Sequence, residues 1–308
     1  MLSFSVIIPH YNIPDLLIRC LKSIPVLEDI QVIVVDDDSP GSDTYLERYP
    51  ELSRPYLEFI RTAEGKGAGY ARNIGLDHAK GKWLLFADAD DFFVDNAFDI
   101  IKEYENSDAD LVYFKKKSVY SDDISKPSTR NRDLNGLIDG YLRDGDEISL
   151  RVKYWVPWGK MIKRELVVNH NFRFDEVKYS NDQFFCVSVG ISANLIKADE
   201  RELYVVTTRD GSLISNGCLK PNEIAIRSEV CFRVQRLLYE RDIILKPMPF
   251  RSNLLTMLKY DRKLYGFYVK RIDEIYPSLF KALIDICYGL KLRSQILICI
   301  YSYMIKLF

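Results

Sequence analysis

Trp83-Leu84-Leu85-Phe86-Ala87-Asp88-Ala89-Asp90-Asp91-Phe92-Phe93 is an apolar run that ends abruptly in three carboxylates. Apolar residues on both faces predict a buried strand of a parallel sheet. Open α/β sheets bind ligands beyond the carboxyl ends of their strands, and Asp88, Asp90 and Asp91 fall at such an end. Carboxylates crowded there repel one another. A divalent cation removes that conflict. Hard oxygen donors suit Mg²⁺ or Mn²⁺, and such an ion can in turn hold a diphosphate.

On either side of this run, strand and helix signals alternate. Phe4–Pro9, Ile30–Val35, Leu57–Arg61, Lys82–Ala87 and Asp110–Phe114 read as strands. Pro14 opens a helix with Leu16, Leu17, Cys20, Leu21 and Ile24 on one face, and Ala68–Ala79 and Ala97–Tyr104 are helical in pattern. The alternation predicts an α/β fold, a mostly parallel central sheet with helices on both faces. Residues 118–150 are polar and predict a loop, with Lys126-Pro127-Ser128 as a turn. Residues 152–215 mix short strands, turns and aromatics, and long helical patterns begin at Pro221. The expected division is a catalytic domain over residues 1–217 and a C-terminal helical extension over residues 218–308.

Composition narrows the class. At 47% hydrophobic and 28% charged residues, a sizeable core is affordable and global disorder is excluded. The formal net charge of −1 conceals an asymmetry. Residues 1–120 carry 13 Lys/Arg against 21 Asp/Glu, whereas residues 241–308 carry 12 against 5. An acidic front and a basic tail fit a metal-dependent site followed by a surface-binding extension, and nothing points to nucleic acid. The six cysteines form no C-x-x-C pair and no zinc-spaced Cys/His cluster, which fits reduced thiols in a cytoplasmic protein. The chain enters its first strand at Phe4 without a signal-peptide pattern, and no run reaches the ~20 apolar residues of a membrane-spanning helix.

Three strand ends carry polar residues: Pro9-His10-Tyr11-Asn12, Asp36-Asp37-Asp38-Ser39 and Asp88–Asp91. A parallel sheet brings such ends to one edge. Tyr11 can stack on a nucleobase, and an Asp at the second end can accept from a uracil ring N–H. Asp88 suits a ribose or a metal-bound water, and Asp90 the metal. Gly65-Lys66-Gly67-Ala68-Gly69 precedes a helix carrying Arg72, whose fork geometry suits phosphate or carboxylate. The dinucleotide G-x-G-x-x-G and P-loop patterns are absent. His10, His78 and His170 are scattered and read as surface or packed residues.

Pro9-His10-Tyr11-Asn12, Val35-Asp36-Asp37, Ala71-Arg72-Asn73-Ile74-Gly75 and Phe86-Ala87-Asp88-Ala89-Asp90-Asp91 together resemble the ordered motifs of glycosyltransferase family 2. The resemblance covers residues 4–114 closely and extends loosely to about residue 215. It implies the type A nucleotide-sugar-binding fold. It also implies inverting transfer from a nucleotide diphosphosugar, UDP-linked in this reading, to a saccharide or lipid-linked acceptor in surface polysaccharide synthesis. Pro9, Tyr11 and Asp37 match base-contacting positions, Arg72 the arginine near the nucleotide, and Asp88 the ribose or metal carboxylate. Asp90 matches the principal metal ligand, with Mn²⁺ or Mg²⁺ as cofactor, and Asp91 an acid near the sugar. Trp158-Gly159-Lys160-Met161 resembles the segment before the catalytic loop, with Trp158 read either as a core residue or as a sugar or acceptor contact. Asp182, in Tyr179-Ser180-Asn181-Asp182, falls at the general base. Arg209 is the corresponding donor-phosphate or acceptor contact. Asp38 stands where a small residue is usual, and Asn181 replaces the usual Glu.

Two other readings compete. Asp88-Ala89-Asp90 after an apolar strand also fits a phosphatase of the haloacid dehalogenase type, although that motif normally opens its domain. A non-catalytic nucleotide-sugar-binding protein is the other. The last stretch, Leu290–Phe308, is apolar with Lys291, Arg293 and Lys306 interspersed. It suggests an anionic membrane surface as a partner and a peripheral place on the cytoplasmic face, with a helix packed on protein as the competing reading.

Overall fold

The computed structural model describes residues 2–209, 221–245, 249–276, 278–288 and 290–307. The chain divides into two compact units, residues 1–216 and 217–308. The first runs β1 (Phe4–His10), α1 (Pro14–Lys22), β2 (Ile30–Asp36), α2 (Tyr45–Arg48), β3 (Leu57–Arg61), α3 (Ala68–His78), β4 (Trp83–Phe86) and β5 (Phe92–Phe93). It continues through α4 (Ala97–Lys102), β6 (Leu111–Tyr120), α5 (Arg132–Asp144), α6 (Glu147–Lys153), β7 (Lys160–Lys163), α7 (Arg164–Asn169), α8 (Gln183–Ser192) and β8 (Ile196–Thr208).

The strands form one sheet in the order β3-β2-β1-β4-β7-β6-β8-β5. The pairs β1–β2, β1–β4, β2–β3 and β6–β8 are parallel, while β7 and β5 pair antiparallel with their neighbours. Side chains alternate between the faces with the strand period of two. Phe4, Val6 and Ile8 of β1 join one core with Trp83 and Leu85, against α1 and α4. Ile7, Leu84 and Phe86 join the other, against α3 and α8. The result is an α/β/α sandwich whose strand ends His10, Asp36 and Phe86 share one edge.

The polar composition of residues 118–150 suggests a loop, yet β6 extends to Tyr120 and two helices follow. Leu134, Leu137, Ile138 and Tyr141 lie on one side of α5 at helical spacing and pack on the sheet. A narrow apolar stripe among charges was enough once the sheet offered a surface to cover.

The second unit contains α9 (Pro221–Glu240), α10 (Arg251–Tyr260), α11 (Arg262–Arg271), α12 (Leu279–Cys287) and α13 (Leu292–Leu307), packed around their own core. Ile298 and Ser302 of α13 are buried, and the Tyr265 and Ser302 hydroxyls are hydrogen-bonded at 2.6 Å. Lys306 is paired with Asp273 at 2.6 Å. The side of this helix that carries Ile298 and Ser302 therefore covers protein. Among the described residues no helix is long and apolar enough to cross a membrane. Cys20, Cys186, Cys231, Cys287 and Cys299 are free thiols, and Cys218 lies outside the described residues.

Candidate active site

A cleft of about 780 Å³ opens beyond the ends of β1 and β2, lined by Pro9, Tyr11, Asp37, Lys66, Lys178 and Asn181 among others. Its volume suits a nucleotide-sized ligand. Tyr11 presents an exposed ring, a ready stacking surface. Asp37 accepts backbone N–H groups of Lys66 at 3.1 Å and Gly67 at 2.7 Å, which folds the glycine loop into the cleft wall. Gly67 sits at φ +94°, where a side chain would be strained. A Cβ on Gly69 would lie 2.0 Å from the Asp175 carbonyl oxygen, so only glycine lets α3 approach the 175–181 segment this closely.

The loops carrying Tyr11 and Asp37 are pinned from beneath. His10 Nδ1 lies 2.7 Å from Asp36 Oδ1, and both side chains are fully buried. His10 Nε2 accepts the Ile13 backbone N–H at 3.2 Å, which fixes the tautomer with the proton on Nδ1. The Ser39 hydroxyl donates to Asp36 at 2.6 Å and accepts the Asn12 N–H at 2.7 Å, linking the two loops. Burial alone would raise the Asp36 carboxyl, but hydrogen bonds from His10 and Ser39 outweigh it and hold it below the usual carboxylate range. Asn12 and Asp38 take left-handed backbone at φ +51° and +61°, which these residue types tolerate best after glycine. This accommodates Asp38 where a small residue is usual. Of the other histidines, His78 lies 2.7 Å from Glu58, and His170 contacts the Leu166 carbonyl.

Beyond β4 the three acids converge. Single carboxylate oxygens of Asp88, Asp90 and Asp91 lie within 4.8 Å of one another. The turn is held by groups far away in sequence. The Asp88 N–H donates to Tyr204 Oη at 2.9 Å, Arg19 donates to the Asp90 carbonyl at 2.6 Å, and the Thr207 hydroxyl donates to the same carbonyl at 2.9 Å. Burial, then the charge of Asp88, raises the Asp90 carboxyl, with Arg209 opposing. Burial and both neighbouring acids raise Asp91 well above the ordinary value. Three oxygen donors whose charges destabilise one another form a donor set that fits a hard divalent cation.

Arg72 joins the acids to the cleft. Its side chain is buried over the Phe174 ring and donates to Asp88 at 2.7 Å and to Asn181 Oδ1 at 2.9 Å. Asn181 thus does its work through its carbonyl oxygen. Asp182, next in sequence, stands at the N-cap position of α8, but its side chain makes no capping hydrogen bond. The carboxylate is therefore not consumed by the helix end. Burial raises its pKa, with Arg72 pulling the other way. Arg209, at the end of β8, places Nε 3.1 Å from Asp90 Oδ2.

Two expected ligand contacts are covered by protein in this structure. Trp158 is buried and stacked on Tyr204 with ring centroids 5.6 Å apart, so it offers no face to a sugar. It supports the ring whose hydroxyl holds Asp88. Asp91 is only 1% exposed and accepts the Thr207 N–H at 2.7 Å, so it faces β8 and the other acids rather than a sugar. Sequence reading missed Arg19, Tyr204 and Thr207. No motif marks them, and only strand pairing brings β8 beside the acids.

This arrangement, nucleotide-sized cleft and acid turn on one edge of a curled α/β sheet, is that of the type A nucleotide-sugar-binding fold. The chain belongs to glycosyl transferase family 2, whose model matches residues 5–169. That match sets aside the phosphatase reading. The uncharacterized glycosyltransferase EpsJ of Bacillus subtilis is 27% identical over 223 residues, covering 68% of this chain and 62% of that protein. The poly(ribitol-phosphate) beta-N-acetylglucosaminyltransferase TarS of Staphylococcus aureus strain Mu50 is 25% identical over 237 residues, covering 72% of this chain and 39% of TarS. Each match thus spans less than two thirds of the relative. Among solved structures, S. aureus TarS 1–349 in complex with UDP-GlcNAc superposes with a TM-score of 0.66 at 18% identity, covering 99% of this chain and 90% of that one.

Proposed function

We propose that the protein is a metal-dependent, inverting glycosyltransferase that uses a nucleotide diphosphosugar, in this reading UDP-linked. The observation that carries the proposal is the continuous connection from the cleft through Asn181 and Arg72 to Asp88, with Asp182 beside it. Tyr11 stacks on the base, Pro9 and Asp37 complete the base pocket, and Asp88 and Arg72 meet the ribose and diphosphate end. Asp90, with Asp88 and Asp91, would hold Mn²⁺ or Mg²⁺. When bound, such an ion neutralises charge on a departing diphosphate.

Asp182 accepts the proton of the acceptor hydroxyl as that oxygen attacks the anomeric carbon. The bond from that carbon to the diphosphate oxygen breaks with its electron pair, and the configuration inverts. The upward-shifted pKa of Asp182 supports this role, because a base is most useful when its pKa approaches the working pH. The acceptor is a hydroxyl of a saccharide or lipid-linked chain in surface polysaccharide synthesis, a reading supported by relatives such as TarS, and the proposed location is cytoplasmic. A peripheral contact with an anionic membrane surface through residues 290–308 would use side chains other than Ile298 and Ser302, which are buried, and Lys306, which is paired.

The test is a donor screen with and without Mn²⁺, reading UDP binding by calorimetry and slow donor hydrolysis. Tight nucleotide binding with no hydrolysis or transfer for any donor would favour the non-catalytic binding protein instead.

A further inference from the structure

We propose that a second cavity, between the ends of β6 and β8, is the acceptor subsite and that it takes an acceptor carrying a phosphate ester. This rests on the transferase reading above. The cavity measures about 470 Å³ and is lined by Tyr120, Ser121, Asp122, Lys126, Thr208 and Arg209. It shares none of the residues that line the nucleotide cleft. The two hollows are linked to different members of the same acid turn. Asn181, in the cleft wall, is tied through Arg72 to Asp88. Arg209, in the wall of the second cavity, is tied to Asp90. A donor that reaches from the cleft to the acids leaves the second cavity free for the attacking molecule.

The second cavity is held in fixed relation to the acids. Parallel pairing sets Tyr120 opposite Thr208. Ser121 donates its N–H to the Thr208 carbonyl at 2.9 Å, and Ser128 and Thr208 hydroxyls meet at 3.0 Å. Arg19 then clamps both structures: its guanidinium donates to the Ser121 carbonyl at 3.2 Å and to the Asp90 carbonyl at 2.6 Å. A ligand in this cavity is therefore positioned relative to Asp90 by one half-buried fork.

The lining chemistry indicates the ligand. Tyr120 gives an aromatic face for the carbon side of a sugar or polyol. Lys126 Nζ lies 4.8 Å from the centre of that ring, and among the described residues it has no carboxylate at ion-pair distance. Lys126 and Arg209 together present an ammonium and a guanidinium fork, the pair of donors that suits a phosphate oxygen cluster. Asp122, exposed at the rim, disfavours a purely electrostatic, unselective anion site and leaves an acceptor for a polyol hydroxyl. Such a phosphate ester can belong to a polyol-phosphate polymer or to a lipid diphosphate.

The experiment uses the full chain with UDP present and measures binding of a soluble ribitol phosphate oligomer by calorimetry. Neutral ribitol serves as control, and a prenyl diphosphate-linked sugar in detergent micelles as the second source. The expected result is measurable binding of one phosphate-bearing probe, little of ribitol, and a loss of about tenfold or more in Lys126→Glu with recovery in Lys126→Arg, the loss expected for one charge-assisted contact. Binding of the oligomer alone assigns a polymer acceptor, and binding of the micellar lipid alone assigns a lipid-linked one. Equal affinity of wild type and Lys126→Glu, equal binding of ribitol, or binding of neither phosphate probe overturns the proposal. Donor hydrolysis is measured on the same wild-type sample. Its absence sinks the transferase reading, whereas hydrolysis without phosphate-probe binding sinks only this subsite.

Discussion

Asp90→Asn is expected to make the metal-free protein more stable while removing its response to metal. The carboxylate oxygens of Asp88, Asp90 and Asp91 lie within 4.8 Å of one another. Two full charges at that spacing repel by about 3.5 kcal/mol at an effective dielectric of 20. Solvent at the partly buried Asp88 and Asp90, and the Arg209 guanidinium 3.1 Å from Asp90, screen much of this. A net gain of about 1 kcal/mol remains for the metal-free variant, which in a unit of this size raises the midpoint by roughly 2–4 °C. In the wild type, Mn²⁺ at a hundred times its dissociation constant adds about 2.7 kcal/mol, and the variant should lose that increment. The pH dependence follows. Asp90 and Asp91 are both shifted upward, so the folded metal-free state holds protons that the unfolded chain has released. Its stability from these groups is greatest at low pH and falls as pH rises through the carboxylate range toward the raised values. The metal increment runs the opposite way, because binding displaces those protons. Thermal unfolding with EDTA and with Mn²⁺, at several pH values, measures all of this. A variant that melts lower in EDTA yet still gains from Mn²⁺ would refute the assignment of Asp90 and the repulsion argument together.

Asp182→Asn should lower transfer by roughly 10²–10⁴-fold with UDP affinity unchanged, and near wild-type turnover would remove Asp182 from the mechanism. His10→Leu leaves the buried Asp36 without its imidazole partner and should cost about 3–5 kcal/mol by denaturant unfolding, so an unchanged midpoint would count against the pair. Because Asp36 is held below its ordinary range, its contribution is present above the unfolded carboxylate pKa and disappears as pH falls through the folded one. His10→Leu should therefore flatten the acid limb of the stability curve. Deleting residues 291–308 uncovers the partners of Ile298 and Ser302 and should abolish cooperative unfolding of the helical unit. A truncated protein with both transitions intact would return the segment to a surface role.

Much of the fold is legible in local pattern. The runs Phe4–Ile8, Ile30–Val35 and Trp83–Phe86 are apolar on both faces, and only a covered parallel sheet satisfies that requirement. Polar residues at their carboxyl ends then lie together without further information. Tyr11, Asp37, Asp88 and Asp90 could be singled out because each sits within a few residues of such an end, Arg72 because it lies on the helix after the glycine loop, and Asp182 only through the family resemblance. Residues whose meaning depends on a partner distant in the chain were not legible. Trp158 has the composition of a sugar platform, and only its stacking on Tyr204 shows that both rings serve the acid turn. Asp91 is indistinguishable from Asp90 until β8 arrives and takes one of its oxygens. Arg19 carries no motif, yet it joins the turns after β4 and β6. Local sequence specifies hydrogen bonding and apolar faces over a few residues. Which carboxylate turns inward, which ring is covered and where a second hollow opens depend on strand pairings across about a hundred residues, and those exist only once the sheet has closed.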